Sequence, residues 1–250
     1  MFNHKIYFNN VALPSFVLVK RINHQILCDI DNETIESEVG HKLRKTKLGT
    51  KIIEIEFSLL KDDSLPPFEQ QQELLKWIKG DNWKPSRLIL PDNLNVHYIA
   101  ICNNGIKFNN EKVESLGTIE FLICDPYRIS NIEKTTTTPF TISNKKEINY
   151  LNNIETFPRL KFKITSSCSE IKLNFTNEKY NNFVKLKHNF VLNDVIVIDM
   201  ETKKVTVNDE LKMQILTLDS RFHKICEGLN TYTKETGNFE LYIYYKEKYL

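Results

Sequence analysis

Glu54 and Glu56 lie two residues apart in "KIIEIEFSLL", a spacing that sets both carboxylates on one face of a β-strand. Paired there, they have the residue type and proximity of a general acid and base, and a glycoside hydrolase would need two such carboxylates at a defined separation. A solvated strand face has the same pattern and is the simpler account. "GTIEFLICDPYRIS" (117–130) is the second place to look: a β-like run stops at Cys124-Asp125-Pro126-Tyr127, four residue types suited to catalysis or recognition. Cys124 and Asp125 have no basic neighbour in sequence to activate a thiol, so the corner reads as a structural exit. Pro126 cannot donate to a strand ladder and ends the run.

Metal and nucleophile chemistry has little else to work with. His4, His24, His41, His97, His188 and His223 show no H-E-x-x-H or similar spacing, and the chain contains no G-x-S-x-G, P-loop, G-x-G-x-x-G or kinase signature. Cys28, Cys102, Cys124, Cys168 and Cys226 are odd in number, unevenly spaced and without a C-x-x-C, which argues against a disulfide framework or a zinc knuckle. They are expected to be small buried hydrophobes in strands. No catalytic residue, metal ligand or cofactor site is assigned, and a non-enzyme is expected.

Two surface patterns invite a binding role. His41, Lys42, Arg44, Lys45, Lys47 and Lys51 fall within eleven residues, "HKLRKTKLGTK". Leu43 and Leu48 interrupt the run and no aromatic residue interleaves for base stacking, so a basic β-hairpin facing a subunit interface or a channel fits better than a nucleic-acid site. In the C-terminal "NFELYIYYKEKYL", alternation sets Tyr242 and Tyr244 on one face and Leu241, Ile243 and Tyr245 on the other. The two tyrosines are candidate sugar contacts, although a sandwich strand with one tyrosine-bearing face looks the same.

The elements that would carry these residues are mostly strands. Lys and Arg total 34 against 32 Asp and Glu, a net +2 that falls far short of a nucleic-acid-binding excess and gives no electrostatic reason for membrane association. No segment approaches 18 consecutive apolar residues and the first twenty residues lack a signal-peptide pattern, so synthesis and retention in the cytosol are expected. With 7 glycines in 250 residues, turns must rely on Asn and Asp as much as on Gly. Period-two alternation sets Ile53, Ile55, Phe57 and Leu59 inward, and likewise Ile119, Phe121 and Ile123.

A single helix is predicted over Pro66 to Lys79, with Ser64 as cap candidate, Phe68, Leu74, Leu75 and Ile78 on its apolar face and Gly80 as stop. "RLILPD" and "HYIAIC" follow as short strands turning at Pro91-Asp92. "ISNIEKTTTTPFTIS" reads as an extended connector, giving domains 1–134 and 135–250. Beyond it "RLKFKI", "EIKLNF", "NFVKLK", "DVIVID", "KKVTVND", "MQILTL" and "FELYIYY" are expected to form an antiparallel β-sandwich.

The ordered series "LLKWIKGDNW", "RLILPD", "YIAI", "GTIEFLICDPYRIS" and a threonine-bearing linker resembles the N-terminal domain of siphophage distal tail (Dit) proteins. "IDMETKKVTVND", "EGLN" (227–230) and the terminal "NFELYIYYKEKYL" are similar to pieces of that family's C-terminal domain, with Asn208-Asp209 standing where the family often has Asn-Gly. The resemblance implies a mainly β protein: an N-terminal tail-tube-like β-sandwich with one α-helix and a long hairpin, then a C-terminal galectin-like β-sandwich. It further implies a homohexameric ring, with the basic residues His41 to Lys51 at the ring interface, at the distal end of a long non-contractile phage tail. The implied partners are the tail tube protein, the tape measure protein, a tail-tip or tail-associated lysin protein and a receptor-binding protein. The resemblance also implies a place in the virion, assembly in the host bacterial cytoplasm, no nucleic-acid binding beyond DNA passing through the channel and no membrane insertion. The alternative is a carbohydrate-binding adhesion module that contacts host cell-wall sugars through the C-terminal domain.

Overall fold

The computed structural model describes residues 5–25, 28–36, 39–60, 65–104, 106–110, 115–136 and 144–250. They fall into two compact units, one ending at Ile129 and the other spanning Ser130–Tyr249.

In the first unit the strands are β1 (Tyr7–Phe8), β2 (Val11–Ala12), β3 (Val17–His24), β4 (Ile30–Glu36), β5 (His41–Leu48), β6 (Lys51–Leu59), β7 (Ser86–Ile89), β8 (Val96–Cys102), β9 (Lys107–Asn110) and β10 (Ser115–Ile123). Hydrogen bonding runs β2-β1-β7-β8-β10-β6-β3, with β9 also on β10 and β4-β5 as a separate ribbon. The alternation in β6 and β10 works as expected: Ile53, Ile55 and Phe57 pair with Phe121, Ile119 and Gly117, and the five side chains are fully buried. Gly117 has no side chain because the Phe57 ring takes the space. A Cβ there would lie 2.5 Å from the ring.

The sheet curls. β1 and β10 are three strands apart along the ladder, about 14 Å in a flat sheet, yet the Phe8 and Phe121 ring centroids lie 4.9 Å apart. Trp77 of helix α1 (Pro67–Lys79) closes the group edge-on, 5.8 Å from Phe8 and 6.1 Å from Phe121. Its indole Nε1 donates to the Val11 carbonyl at 2.9 Å. The helix buries Gln70, Leu74, Trp77 and Ile78, while Phe68 and Leu75, expected on its apolar face, are exposed. Gln70 is drawn inward because its amide donates to Leu60 O at 3.2 Å. Ser64, the expected cap, lies outside the described residues; Pro66 occupies the cap position. Gly80 stops the helix for two reasons: it adopts φ +52°, and Phe8 stands 2.8 Å from where a Cβ would be.

In the second unit β11 (Arg128–Thr136) enters from its neighbour's last residues, followed by β12 (Lys145–Tyr150), β13 (Arg159–Ile164), β14 (Cys168–Thr176), β15 (Asn181–Phe190), β16 (Val195–Asp199), β17 (Lys204–Val207), β18 (Glu210–Leu211), β19 (Gly228–Thr236) and β20 (Phe239–Tyr249). One sheet is ordered β18-β17-β16-β13-β20-β11 and the other β12-β19-β14-β15. Their inner faces supply one core, including Leu160, Phe162 and Ile164 from β13, Ile171, Leu173 and Phe175 from β14, and Leu241, Ile243 and Tyr245 from β20. Contacts such as Tyr150 against Tyr245, at 6.0 Å, cross between the sheets.

One expectation fails here: "MQILTL" is a 3₁₀ turn (Met213–Ile215) with an isolated bridge at Leu216 rather than a strand. Of the stretch expected as an extended connector, residues 129–136 belong to β11 and the remainder lies outside the described residues. The cysteines also depart from expectation: only Cys28 and Cys226 are buried, and neither lies in a strand.

Turns do use Asn and Asp. Among the described residues positive φ occurs at Asn9, Asn10, Asn82, Asn144, Asn193, Asn208 and Asp209, at Trp83 and Lys203, and at four glycines. Asn208-Asp209 has positive φ at both central positions of a two-residue hairpin between Val207 and Glu210, the conformation an Asn-Gly pair would favour.

Phe121 touches Phe8 and Trp77 at the point where the sheet curls. Phe121→Asp buries a carboxylate without a partner, costing several kcal/mol of a total of about 5–15. The variant is expected to be insoluble or unfolded by circular dichroism. A soluble variant with wild-type melting would reverse the strand phase.

Lys146 faces inward on β12, where its ammonium donates to Thr136 O at 2.8 Å and Leu241 O at 3.0 Å. Burial lowers its pKa from 10.5 to about 8. Between these values the unfolded chain holds the proton that the folded chain releases, so stability should rise as pH increases from about 8 to 10.5. Urea melts across that range should show the rise in the wild type, and Lys146→Met should flatten it.

Candidate functional site

The cationic run predicted for an interface forms most of β5, and its partner strand is acidic. β4 reads "IDNETIE", and the register opposes Asp31 to Lys47, Glu33 to Lys45 and Glu36 to His41. Arg44 occupies a bulge opposite Glu33/Thr34, and its Nη1 reaches the Glu33 carboxylate at 2.8 Å. His41, Lys42, Arg44, Lys45 and Lys47 are therefore gathered on one ribbon where acids oppose cations at several register positions and Arg44 forms an ion pair with Glu33. Asp31, Glu33 and Glu36 are the members that attention to the basic run alone passes over. The sequence did carry their signal, as acids at every second or third position before the Gly40 turn.

The same register separates the ribbon's faces. Ile30, Leu43 and Leu48 share one with Asn32, Thr34, Glu36, His41 and Thr46, while Asp31, Glu33, Ile35, Lys42, Lys45 and Lys47 take the other. Thr46 Oγ1 donates to Asn32 Oδ1 at 2.8 Å. Every residue of both strands is exposed, the apolar ones included. A two-stranded ribbon is marginal on its own in water, and open strand edges invite pairing. The arrangement suits a surface completed by another protein.

Lys51, the sixth cation of the set, is not on the ribbon. It opens β6 and is 3 % exposed, with Nζ donating to the Tyr98 hydroxyl at 3.1 Å. Arg128 Nε donates to the same oxygen at 2.7 Å, and its guanidinium also pairs with Asp92 at 2.6 Å. Both cations lie about the Tyr98 ring, at 5.2 and 5.0 Å from its centre. This cluster fixes the exit after "CDPY". Cys124 and Asp125 are exposed, Pro126 is buried, and the next charged residue, Arg128, is committed to Tyr98 and Asp92.

Glu54 and Glu56 share a half-buried strand face, where Asn23 Nδ2 donates to Glu56 at 2.9 Å and the register brings Arg21 opposite Glu56. That is a polar sheet surface on which Asn23 engages the Glu56 carboxylate and Glu54 stands opposite Asn23 and Glu120. In the second unit Tyr242 and Tyr244 occupy the outward face of β20. The Tyr242 hydroxyl donates to Glu240 at 2.9 Å, and the Arg159 guanidinium lies 4.8 Å from the Tyr244 ring centre.

"CEGLN" closes around Asn230, which is fully buried. Its Oδ1 accepts from Cys226 N and from Asn177 Nδ2, both at 3.1 Å, and its Nδ2 donates to the carbonyls of Cys226 and Gly228 at 2.7 and 3.0 Å. The Gly-x-Asn piece thus ties the start of β19 to the loop before it.

Comparison with known proteins bears on both units. Residues 9–123 match the family model for the phage tail protein RIFT-related domain, and residues 152–249 match that for the siphovirus-type tail component, C-terminal domain. The crystal structure of the Dit protein of phage SPP1, described as a paradigm of the hub adsorption apparatus in phages infecting Gram-positive bacteria, superposes with TM-score 0.84 at 15% identity, covering 100% of both chains. Phage P2 baseplate structures in the activated conformation, with calcium and with strontium, give TM-scores of 0.56 and 0.53 at 11% and 12% identity, covering 99% of each chain. A search of curated protein sequences finds no match. With matches in both halves and a shared mainly β fold along its whole length, the chain belongs to the siphophage distal tail protein (Dit) family.

Proposed function

We propose that six copies of this chain form a closed ring that joins the tail tube to the baseplate or tip fibre. The observation that carries the reading is the exposed β4-β5 ribbon, which gathers Ile30, Leu43 and Leu48 on one face and most of its charges, with Ile35, on the other and is rooted between β3 and β6. A repeated heterologous contact closes into a ring when the subunit rotation allows, and a joint with a tube has to match the tube's symmetry. Domain 1–134 supplies the ring contacts through His41, Lys42, Arg44, Lys45 and Lys47, with Lys51 fixing the ribbon's root. Domain 135–250, a galectin-like sandwich, lies outside the ring. The partners are the tail tube, tape measure and tail-tip or lysin proteins and a receptor-binding protein, in a virion assembled in the host cytoplasm. The role is structural and involves no catalysis.

Ile30, Leu43 and Leu48 give the ribbon an exposed apolar face, so apolar contact contributes to the ring alongside ion pairing between subunits. Ile30→Asp with Leu43→Asp places charges on an exposed face and should leave the monomer's melting within about 0.5 kcal/mol of wild type. The same variant should fail to assemble into tails. Normal tails carrying it would remove the ribbon from the interface.

Cryo-microscopy of assembled tails tests the placement itself. Density for this chain is expected at the junction of tube and tip with six-fold or pseudo-six-fold arrangement. Its absence there, or another symmetry, would sink the hub reading.

A further inference from the structure

A cleft of 470 Å³ opens in the second unit, within the roughly 300–1,000 Å³ range of small-ligand sites. Phe157, Tyr180 and Phe222, each half-buried against the sandwich core, form its apolar walls, while Lys203 and Arg221 stand exposed in its lining. No carboxylate lines it. Glu155, the acid beside Lys224, is occupied by Lys179 at 3.0 Å and Lys224 at 3.1 Å.

Two features shape the cleft. Lys203 adopts φ +56° in the β16-β17 turn, a conformation that a glycine would take without strain. The backbone thus accepts a cost of order 1 kcal/mol to keep an ammonium at this place. His223, 3 % exposed, also lines the cleft. Its ring stacks on Phe175 with centroids 3.9 Å apart, Nε2 meets the Tyr232 hydroxyl at 3.1 Å, and the Arg221 backbone also bonds to the ring. Burial keeps the imidazole neutral, its pKa pushed down to about 3, so this wall of the cleft adds no charge to those of Lys203 and Arg221.

We propose that this cleft binds a saccharide unit bearing an anionic group, carboxylate or phosphate. Lys203 and Arg221 meet the charge, the Tyr180 and Phe222 rings take the apolar face of the sugar ring, and the Asn182 amide meets its hydroxyls. Arg221 engages only Nη1 with backbone carbonyls, of Leu218 and Ser220, which leaves the rest of its fork for an anion. A peptide adding as a strand is disfavoured because the neighbouring edge of β15 is already covered: Thr217 N bonds to Lys185 O and Arg221 N to Phe183 O, both at 3.0 Å. A flat nucleobase is disfavoured because the Lys224 ammonium sits 5.1 Å over the Phe157 ring and occupies part of the stacking surface. The proposal goes beyond the hub reading and does not depend on it. It also involves different residues from Tyr242 and Tyr244.

The test is titration of the full chain, followed by NMR, with glucose 6-phosphate and glucuronate as the two anion sources, glucose and inorganic phosphate as partial ligands, and adenosine monophosphate and an acidic peptide as competing classes. Saturable shifts are expected with at least one anionic sugar, about tenfold tighter than with glucose or phosphate alone, because a charge-assisted contact is lost in either partial ligand. The affinity should weaken as salt is raised. Lys203→Gly and Arg221→Ala should each reduce binding by about tenfold while circular dichroism and melting remain those of a folded chain, with Lys203→Gly no less stable than wild type. No saturable binding of either anionic sugar, equal binding of glucose, tighter binding of the nucleotide or peptide, or wild-type binding by both variants would each overturn the assignment.

Discussion

The aromatic meeting of Phe8, Phe121 and Trp77 is the contact on which the first unit depends. A seven-strand ladder could remain open, with two edges and one apolar face in water. Bringing β1 over β10 converts that face into an enclosed core, and α1 covers the remaining opening through Trp77. Edge-on and tilted rings add directional attraction to the buried area. Once the sheet is curled, β3 and β6 are held in register from Val17↔Leu59 to His24↔Ile53. The β4-β5 ribbon leaves the chain between them. A surface loop of two strands, weak by itself, is therefore attached to a pair of strands held in the curled sheet.

What could be read from the sequence follows from how each segment is stabilised. β6, β10, β13 and β14 bury one full face, so apolar residues recur at period two and the phase at Phe121, Phe162 and Leu173 follows directly. β11 and β19 have few apolar residues because backbone pairing, rather than a continuous apolar face, places them. β12 was hidden by Lys146, a charge at an inward position. In the helix, Phe68 looked internal and Gln70 external until the Leu60 carbonyl was available to the amide. "MQILTL" has strand composition, but Lys212–Leu216 turns tightly and Met213 Sδ meets Val205 N, so its apolar residues fill the end of a sheet without extending it. At the ribbon, the cations were legible and their apposed acids equally so; only the register could show that they answer one another.

Scarce glycine has a structural counterpart in asparagine. Asn9-Asn10 and Asn208-Asp209 take left-handed conformations at tight connections, where a short polar side chain is less penalised than a larger one. Asn208 also closes its turn, with Oδ1 accepting from Val195 N at 2.9 Å and Nδ2 donating to Asp194 at 2.9 Å. The Val191 amide and Asn208 together hold the Asp194 carboxyl below its usual range. Asn230 performs the corresponding task in the interior by satisfying four backbone and side-chain groups around β19. Asparagine therefore permits the turn and fills its hydrogen bonds, whereas glycine can do only the first.

The polar groups inside the second unit serve different ends. Lys146 lies on the last strand of its sheet, and an inward charge at such an edge opposes addition of a further strand, because a foreign strand would have to keep the ammonium in contact with the same carbonyls. The opposite edge, β15, is covered by residues 217–221. Both edges of that sheet are thus protected, one electrostatically and one by its own chain. The β4-β5 ribbon has neither protection: its residues are exposed throughout, Ile30, Ile35, Leu43 and Leu48 included. One sheet of the second unit is thus covered at its edges by its own chain and charge, whereas the ribbon of the first leaves both of its edges open.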